Sequence, residues 1–425
     1  MSVLEIAQAF QTSHLYLLIG DNHMSENGIL LYRADKLFVF KDSNLYPVTN
    51  MFLVKHDMLH IKKILASTES TSFVLLENGI LLACGYNADG QLGLGDFDDR
   101  NSFERIGNDV WIDIAATFDW SSGIKRDGTL WEWGRRRDWN NPEALNSNIP
   151  IQVGSDNDWA YIVSGASTCY ALKENGTLWA WGYILTAANA GYYTEFPIQI
   201  GVDNDWINIS SIYNHIVALK RDGTMWMYGT YNTRQGVILN PHLFAEPMTQ
   251  IGDDSDWAVA KAGWFFTVAI KTDGTLWAFG VNWDGQLGLG EQMWSKLELT
   301  QIGFDNDWKD ISVGWNFVIA IKNDGTLWSW GANWAGQLGR GFRSTGWHDD
   351  ESTYAPEQVG DNNDWKMTSS GNWHSLGLKN DGTLWSWGDN WAGQLGLGWF
   401  PDWDASWEDR VRDVLEPTQV KIKNM

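Results

Sequence analysis

Residues Lys322–Gly331 read KNDGTLWSWG, and this stretch decides the fold. The apolar run Phe317–Ile321 directly before the turn is typical of a β-strand. Asp324-Gly325 supplies the residues that a tight hairpin turn needs. Leu327–Trp330 then returns as a second strand. Because both strands are apolar at adjacent positions, the sequence indicates a sheet that is buried on both faces.

Copies of this phrase recur along almost the whole chain. The glycines at its centre, spaced 47 to 57 residues apart, are Gly28, Gly79, Gly128, Gly176, Gly223, Gly274, Gly325 and Gly382. A period near 50 residues indicates a propeller or a solenoid. A strand upstream, as in WKDISV, and one downstream, as in PIQVG, complete four strands per repeat. We therefore predict an all-β propeller of four-stranded blades. An open solenoid is the alternative, but it would leave exposed edges.

We count eight repeat units, which leaves seven or eight blades open. The prediction is one domain over residues 1–425, since no linker or low-complexity segment is visible. Residues 1–50 form a degenerate first repeat without the paired tryptophans. Residues 399–415 form a variable C-terminal loop or short helix.

A second repeated phrase identifies a family. It reads WGANWAGQLGRG from Trp330, WGDNWAGQLGLG from Trp387, FGVNWDGQLGLG from Phe279 and CGYNADGQLGLG from Cys84. These runs resemble the regulator of chromosome condensation repeat. The resemblance implies a propeller, usually of seven blades. Family members include exchange factors for small GTPases, ubiquitin-ligase modules, a plant ultraviolet-B photoreceptor and bacterial inhibitors of β-lactamase, and most of them act by binding proteins.

Composition excludes several classes of function. The formal net charge of −23 argues against nucleic acid as a partner, because phosphates attract basic patches. Cys84 and Cys169 are the only cysteines and match no metal or redox spacing. No stretch is long and apolar enough for membrane insertion. We expect a soluble protein, either cytoplasmic or exported without a standard signal peptide.

Candidate chemical sites are weak. The loop from Gly280 to Glu291 partly matches a calcium-binding pattern, as do Asn87, Asp89, Gly90 and Asp96, but Gly280 or Gly85 stands where the first carboxylate belongs. Paired aspartates such as Asp305 and Asp307 recur with each blade, which favours a role in capping turns. No metal-ligand pair of histidines, nucleophile elbow or phosphate loop is visible. We therefore predict no enzyme activity, no cofactor and no metal site.

Three tryptophans stand in runs that resemble a motif of the plant photoreceptor. The runs are GWFFT at Trp264, GWNFV at Trp315 and GNWHS at Trp373. The Arg and His of that motif are missing from the first two runs, and in the third run the Trp is shifted by one position. We expect these tryptophans to lie mainly in the blade core.

Function is expected where the repeats disagree, because structural positions must recur in every blade. The GQLG loop is lost after Trp133, Trp181 and Tyr228. Aromatic residues flanked by acids in two enlarged loops resemble an interface hot spot. A basic triplet is either solvated or pairs with an acidic loop of a partner or of the neighbouring blade. The predicted binding residues are Trp399, Phe400, Trp403, Trp407, Trp347, His348, Asp349, Asp350, Arg135, Arg136 and Arg137.

The predicted function is reversible binding of a protein partner through the face that carries the variable loops. Two alternatives remain open at this point. One is regulation of a small GTPase, such as guanine-nucleotide exchange by a bacterial effector, which rests mainly on the family resemblance. The other is a lectin that uses Trp, Asn and Gln side chains of the loops.

Overall fold

The computed structural model describes most of the chain. The described residues are 16–18, 29–33, 36–41, 44–47, 60–68, 70–135, 146–165, 167–184, 192–213, 215–229, 248–291, 293–344, 353–402 and 412–422. All regular elements among them are β-strands. No helix in this part of the chain is suited to crossing a bilayer. The chain divides into two compact units, Met1–Asp57 and Met58–Met425.

The first unit contains one four-stranded antiparallel sheet with the strands in sequence order. Its strands are Tyr16–Leu18, Ile29–Arg33, Lys36–Lys41 and Asn44–Pro47.

The second unit is a propeller. Its described residues form seven four-stranded antiparallel sheets, each built from consecutive strands. From the innermost strand outward, blade 1 is Ile61–Ala66, Thr71–Leu76, Leu81–Gly85 and Arg100–Arg105; blade 2 is Trp111–Ala116, Trp120–Lys125, Leu130–Arg135 and Asn146–Val153; blade 3 is Trp159–Ser164, Thr168–Lys173, Leu178–Ile184 and Tyr192–Gln199; blade 4 is Trp206–Ile212, His215–Lys220, Met225–Gly229 and Thr249–Gln250; blade 5 is Trp257–Ala262, Phe266–Lys271, Leu276–Val281 and Ser295–Gln301; blade 6 is Trp308–Val313, Phe317–Lys322, Leu327–Gly331 and Thr353–Gln358; and blade 7 is Trp365–Ser370, His374–Lys379, Leu384–Asp389 and Asp413–Val420.

The predicted all-β propeller of four-stranded blades is confirmed, and of the two blade numbers left open the propeller has seven. The first strands of the blades surround a central channel with a volume of about 280 Å³. Blade 7 packs against blade 1 and closes the ring, as the shared core of Ile64, Val74, Leu376 and Leu378 shows. Each interface between blades buries apolar side chains from both neighbours, which explains the adjacent apolar positions in the second and third strands.

The repeated DGTLW phrase builds the turn between the second and third strands. Gly325 has a φ of +84°, which favours glycine. Asp324 Oδ1 accepts hydrogen bonds from the backbone N of Thr326 at 3.0 Å and from its Oγ1 at 2.7 Å. The indole Nε1 of Trp328 then donates to Thr326 Oγ1 at 2.9 Å. Asp, Gly, Thr and Trp therefore recur together because each one supports the same turn.

The paired aspartates bind a lysine. Lys322 Nζ lies 2.7 Å from Asp305 Oδ2 and 3.1 Å from Asp307 Oδ1. It also lies 4.8 Å and 4.7 Å from the ring centroids of Trp308 and Trp328. Burial alone would lower the pKa of Lys322, but its hydrogen bonds to the two carboxylates raise it. The turn-capping interpretation therefore missed the main contact of these aspartates.

A hydrogen bond from a buried indole joins neighbouring blades. Trp330 Nε1 of blade 6 donates to the backbone carbonyl of Gln286 in the GQLG loop of blade 5 at 3.0 Å. Two further indoles make the same bond to the preceding blade: Trp387 Nε1 to Gln337 O at 2.9 Å and Trp133 Nε1 to Gln91 O at 2.8 Å. Since all three tryptophans are fully buried, the second tryptophan of the repeat is fixed by the blade before it.

Other groups replace this hydrogen bond between blades where the repeated sequence differs. In blade 3, Trp181 Nε1 donates to the carboxylate of Glu132 at 2.5 Å, because blade 2 has lost its GQLG loop. At the ring closure, Cys84 of blade 1 stands in the tryptophan position. Its Sγ donates to Gln394 O of blade 7 at 3.5 Å. The ring therefore closes through a smaller and weaker version of the contact used elsewhere.

We expect Trp387→Phe to lower the free energy of unfolding by about 2–3 kcal/mol, because it removes a buried hydrogen bond and leaves a cavity. Urea unfolding measures the change. Trp385→Phe is the matched control, since the half-buried Trp385 donates only to Thr383 Oγ1 in its own turn. An equal loss of stability in the two variants would contradict this account of the blade interface.

Candidate binding face

The two ends of the propeller carry different loops. Because the strands of a blade alternate in direction, the turns between the first and second strands share one end with the loops between the third and fourth strands. We call this end the loop face. The hairpin turns and the connections between blades form the opposite end, which we call the turn face. The described strand ends that are joined by the loops without the GQLG phrase, such as Arg135 and Asn146 of blade 2, therefore lie on the loop face.

Five aromatic side chains from the first turns of different blades meet at the centre of the loop face. These residues, which we call the aromatic cap, are Phe118, Tyr213, Trp264, Trp315 and Trp373. The rings of Tyr213 and Trp315 are stacked with centroids 6.2 Å apart, and those of Trp315 and Trp373 with centroids 5.9 Å apart. Phe118 meets Tyr213 edge-on at 5.7 Å. Because blades 2, 4 and 6 are not neighbours, these contacts place the aromatic cap over the central channel.

Backbone conformation sets the first turns of blades 4 and 5 apart. Tyr213 and Phe265 have φ values of +53° and +61°, and they are the only described non-glycine residues with positive φ. Such a conformation costs about 1–3 kcal/mol and is common at functional sites. Phe265 packs beside Trp264 with ring centroids 5.1 Å apart. The strained backbone conformations therefore occur within the aromatic cap at Tyr213 and directly beside it at Phe265.

Loops between the third and fourth strands add further rings at the edge of the cap. Trp283 meets Trp264 edge-on at 5.5 Å. Tyr86 lies 5.2 Å from Trp391, whose Nε1 donates to Ser70 Oγ. These rings are half-buried, so one side of each contacts the propeller while the other faces solvent.

A pocket of about 480 Å³ opens on the loop face next to blades 7 and 1. Its lining residues are Thr68, Ser70, Phe118, Tyr213, Trp315, Asn372, Trp373, His374, Asp389, Trp391, Gln394 and Arg412. Most of its apolar surface is aromatic, and its polar side chains come from the two blades that close the ring.

Charged groups in the pocket compensate one another. Arg412 Nε lies 2.6 Å from Asp389 Oδ1, and Gln394 Nε2 donates to Asp389 Oδ2 at 3.3 Å. Burial raises the pKa of Asp389 despite the hydrogen bond from Arg412. His374 is buried, and its Nε2 lies 3.0 Å from Ser72 Oγ. Because burial lowers the pKa of His374 to about 4, its ring is neutral at pH 7.

The predicted binding residues are only partly described. Trp399 is half-buried and Phe400 is 42% exposed, and both lie in the loop of blade 7 on the loop face. Arg135 is exposed, and its Nη1 lies 3.6 Å from Asp89 Oδ1 of blade 1. It therefore contacts the neighbouring blade. The remaining predicted residues lie outside the described part of the chain: Trp403, Trp407, Trp347, His348, Asp349, Asp350, Arg136 and Arg137.

The sequence analysis missed the aromatic cap. Placing Trp264, Trp315 and Trp373 in the blade core was wrong, since all three lie in turns and Trp373 is 36% exposed. The signal was present, because an aromatic residue stands one or two positions before the second strand in five of the seven repeats. It was assigned to the core because every other recurring tryptophan had a structural role.

The calcium-like loops shape turns. Asn282 Oδ1 accepts a hydrogen bond from Leu287 N at 2.8 Å, and Asn87 Oδ1 accepts one from Leu92 N at 2.9 Å. Within the residues that the structure describes, no group of three or more His, Cys, Asp or Glu is arranged to hold a metal ion. These loops therefore use their Asn side chains to order the GQLG segment.

Comparisons with known proteins agree with this architecture. Models of the regulator of chromosome condensation (RCC1) repeat match residues 258–286, 308–337 and 368–394, and residues 273–321 and 324–378. The ultraviolet-B receptor UVR8 of Arabidopsis thaliana is 28% identical over 357 residues, which are 79% of this chain and 78% of the receptor. The X-linked retinitis pigmentosa GTPase regulator of Canis lupus familiaris is 31% identical over 160 residues, which are 37% of this chain and 14% of that protein.

Solved structures show the same fold. Prp20p of Saccharomyces cerevisiae, described with its binding properties to Gsp1p and histones, superposes with a TM-score of 0.67 at 17% identity. The superposition covers 87% of this chain and 89% of Prp20p. The chain is therefore a seven-bladed β-propeller, and its blades 5 to 7 match models of the RCC1 repeat.

The buried His374 predicts a pH dependence of stability. The pKa of His374 is about 4 in the folded chain and about 6.5 in the unfolded chain, so between these values only the unfolded chain binds the proton. Stability should therefore fall as the pH decreases from about 6.5 to about 4.5, by about 2–3 kcal/mol. Urea unfolding at both pH values measures this loss.

His374→Gln should remove most of this pH dependence, whereas His60→Gln, which changes an exposed histidine, should retain it. The same loss in wild type and His374→Gln would show that other groups cause it.

Proposed function

We propose that this propeller is a non-enzymatic scaffold that binds a protein partner through its loop face. The observation that carries the proposal is the aromatic cap, with its half-exposed rings gathered at the centre of one end. Tryptophan and tyrosine are enriched in the residues that dominate binding energy at protein interfaces. Rings already fixed by stacking lose little conformational freedom when a partner docks.

The two ends of the propeller differ in a way that favours the loop face. On the turn face the recurring tryptophans are engaged, since they enclose a lysine and donate to a threonine, as Trp328 does. On the loop face, Trp264, Trp315 and Trp373 pack mainly against one another and keep exposed edges. Apolar patches rimmed by polar residues are typical of interaction sites.

The variable loops would surround this centre. Trp399 and Phe400 begin the enlarged loop of blade 7, and Arg412 and Asp413 end its described part. We propose that this loop, with Trp403 and Trp407, and the enlarged loop of blade 6, with Trp347, supply partner-specific contacts around a shared aromatic centre.

Relatives support binding as the activity. The structure of Prp20p is described together with its binding to Gsp1p and histones, and the fold of this chain superposes on it over most of its length. Function is grafted onto folds, so the likeness supports a binding role without naming a partner.

Trp373→Ala should weaken partner binding at least tenfold, because it removes an exposed ring from the centre of the loop face. Affinity capture from a lysate with mass spectrometry would identify the partner, and titration with that purified partner gives the Kd. The matched control is Phe304→Ala, which removes a 98% exposed ring from the turn face. Binding that depends on Phe304 and not on Trp373 would place the interface at the opposite end.

Replacing residues 399–414 with a short Gly-Ser linker should abolish capture of the partner if this loop contacts it. Near-ultraviolet circular dichroism would show that the propeller still folds. Identical capture profiles for the intact and shortened chains would exclude the C-terminal loop from the interface while leaving the aromatic cap as the test of the loop face.

A second candidate function is regulation of a small GTPase. It is favoured by the likeness to a protein named as a GTPase regulator, although the match spans only 14% of that protein. A nucleotide-release assay with a panel of purified small GTPases tests it directly. Acceleration by wild type and not by Trp373→Ala would identify the partner class, whereas no acceleration across the panel would exclude it.

A further inference from the structure

We propose that the pocket beside the aromatic cap binds a neutral sugar unit, such as one carried on a glycan. The pocket shares four rings with the aromatic cap, and its polar side chains come from blades 7 and 1. A volume of about 480 Å³ lies within the range of roughly 300–1,000 Å³ that is usual for small-molecule sites.

The apolar part of the pocket suits the face of a sugar ring. Trp315, Trp373 and Trp391 line it together with Phe118 and Tyr213. The face of an aromatic ring carries partial negative charge, which attracts weakly positive C–H hydrogens. One face of a pyranose presents several such hydrogens, so it packs favourably against an indole.

The polar part of the pocket suits hydroxyl groups. Thr68 Oγ1 and Asn372 Oδ1 are buried and accept or donate no hydrogen bond among the described residues. A buried polar atom without a hydrogen bond is unfavourable, so a bound hydroxyl would restore the missing hydrogen bond. Arg412 also lines the pocket, and its Nε donates to Asp389 Oδ1 at 2.6 Å. Hydroxyls both donate and accept, so they match this mixed set of groups.

The charge balance of the pocket favours a neutral ligand. The negative charge of Asp389 is compensated by Arg412. The neighbouring Asp413 is compensated by Arg343, whose Nη1 lies 2.5 Å from Asp413 Oδ2. His374 is neutral at pH 7 because burial lowers its pKa to about 4. An acidic sugar or a free carboxylate would meet no uncompensated positive charge, and a cation would meet no uncompensated negative charge. A neutral polyol fits both conditions.

A printed glycan array that contains neutral, sialylated and sulfated glycans tests the proposal with the full chain. We expect retention of one or more neutral glycans. Trp373→Ala and Asn372→Ala should each weaken binding of a retained neutral glycan at least tenfold, measured by titration calorimetry. Trp294→Ala, which removes a 67% exposed tryptophan outside the pocket, should leave the Kd unchanged.

Retention of only sialylated or sulfated glycans would overturn the assignment of a neutral ligand. Retention of no glycan would overturn the sugar site itself. Binding that survives both pocket variants would place the glycan elsewhere on the chain. Protein capture is measured separately, so failure of the sugar site leaves the scaffold proposal standing.

Discussion

The hydrogen bond from a buried indole to the preceding blade is the constraint on which the propeller depends. A four-stranded sheet cannot bury the apolar side chains of its own third strand. Each blade therefore needs a neighbouring blade that covers them. The indole of Trp330 fills that interface and its N–H satisfies the carbonyl of Gln286, which the GQLG loop turns inward. Gly288 lies so close to this indole that an added Cβ would approach its Nε1 to 2.8 Å. The tryptophan of one blade therefore requires glycine at this position of the blade before it.

The contact between the GQLG loop of one blade and the donor side chain of the next explains sequence differences between repeats that lie far apart along the chain. Each GQLG loop is followed, in the next blade around the ring, by a side chain that can donate: Trp133, Trp330, Trp387 or Cys84. Where the loop is lost, the next blade carries Trp181, Tyr228 or Phe279 at the same position. Trp181 keeps its hydrogen bond only because Glu132 supplies a carboxylate in place of the missing carbonyl. Loss of the loop thus frees one end of the propeller to diversify while a local substitution preserves the interface.

Much of the fold could be predicted from the sequence, because the interactions that form each blade are local and recur in every repeat. The Asp324-Gly325 turn and the apolar strands beside it act within one repeat, so their pattern predicts a blade directly. The lysine contact of Asp305 and the partner of Trp330 join segments from different turns or blades, and spacing alone does not reveal them. The site was harder still. Tyr213 and Trp315 stack although they belong to blades that are not neighbours, which follows only from the closed ring.

Every sheet of the propeller is made from one continuous stretch of chain, including those on either side of the closure. The unit of sequence duplication and the unit of structure therefore coincide, and no sheet is divided when a repeat is copied or deleted. What limits such changes at the junctions with a buried donor is that this donor must meet the acceptor of the blade before it. The Cys84 junction, with its weak sulfur donor and small side chain, constrains its neighbour less than the junctions built on a buried tryptophan. An added or removed repeat would therefore break a weaker hydrogen bond at this junction than at a junction built on a buried indole.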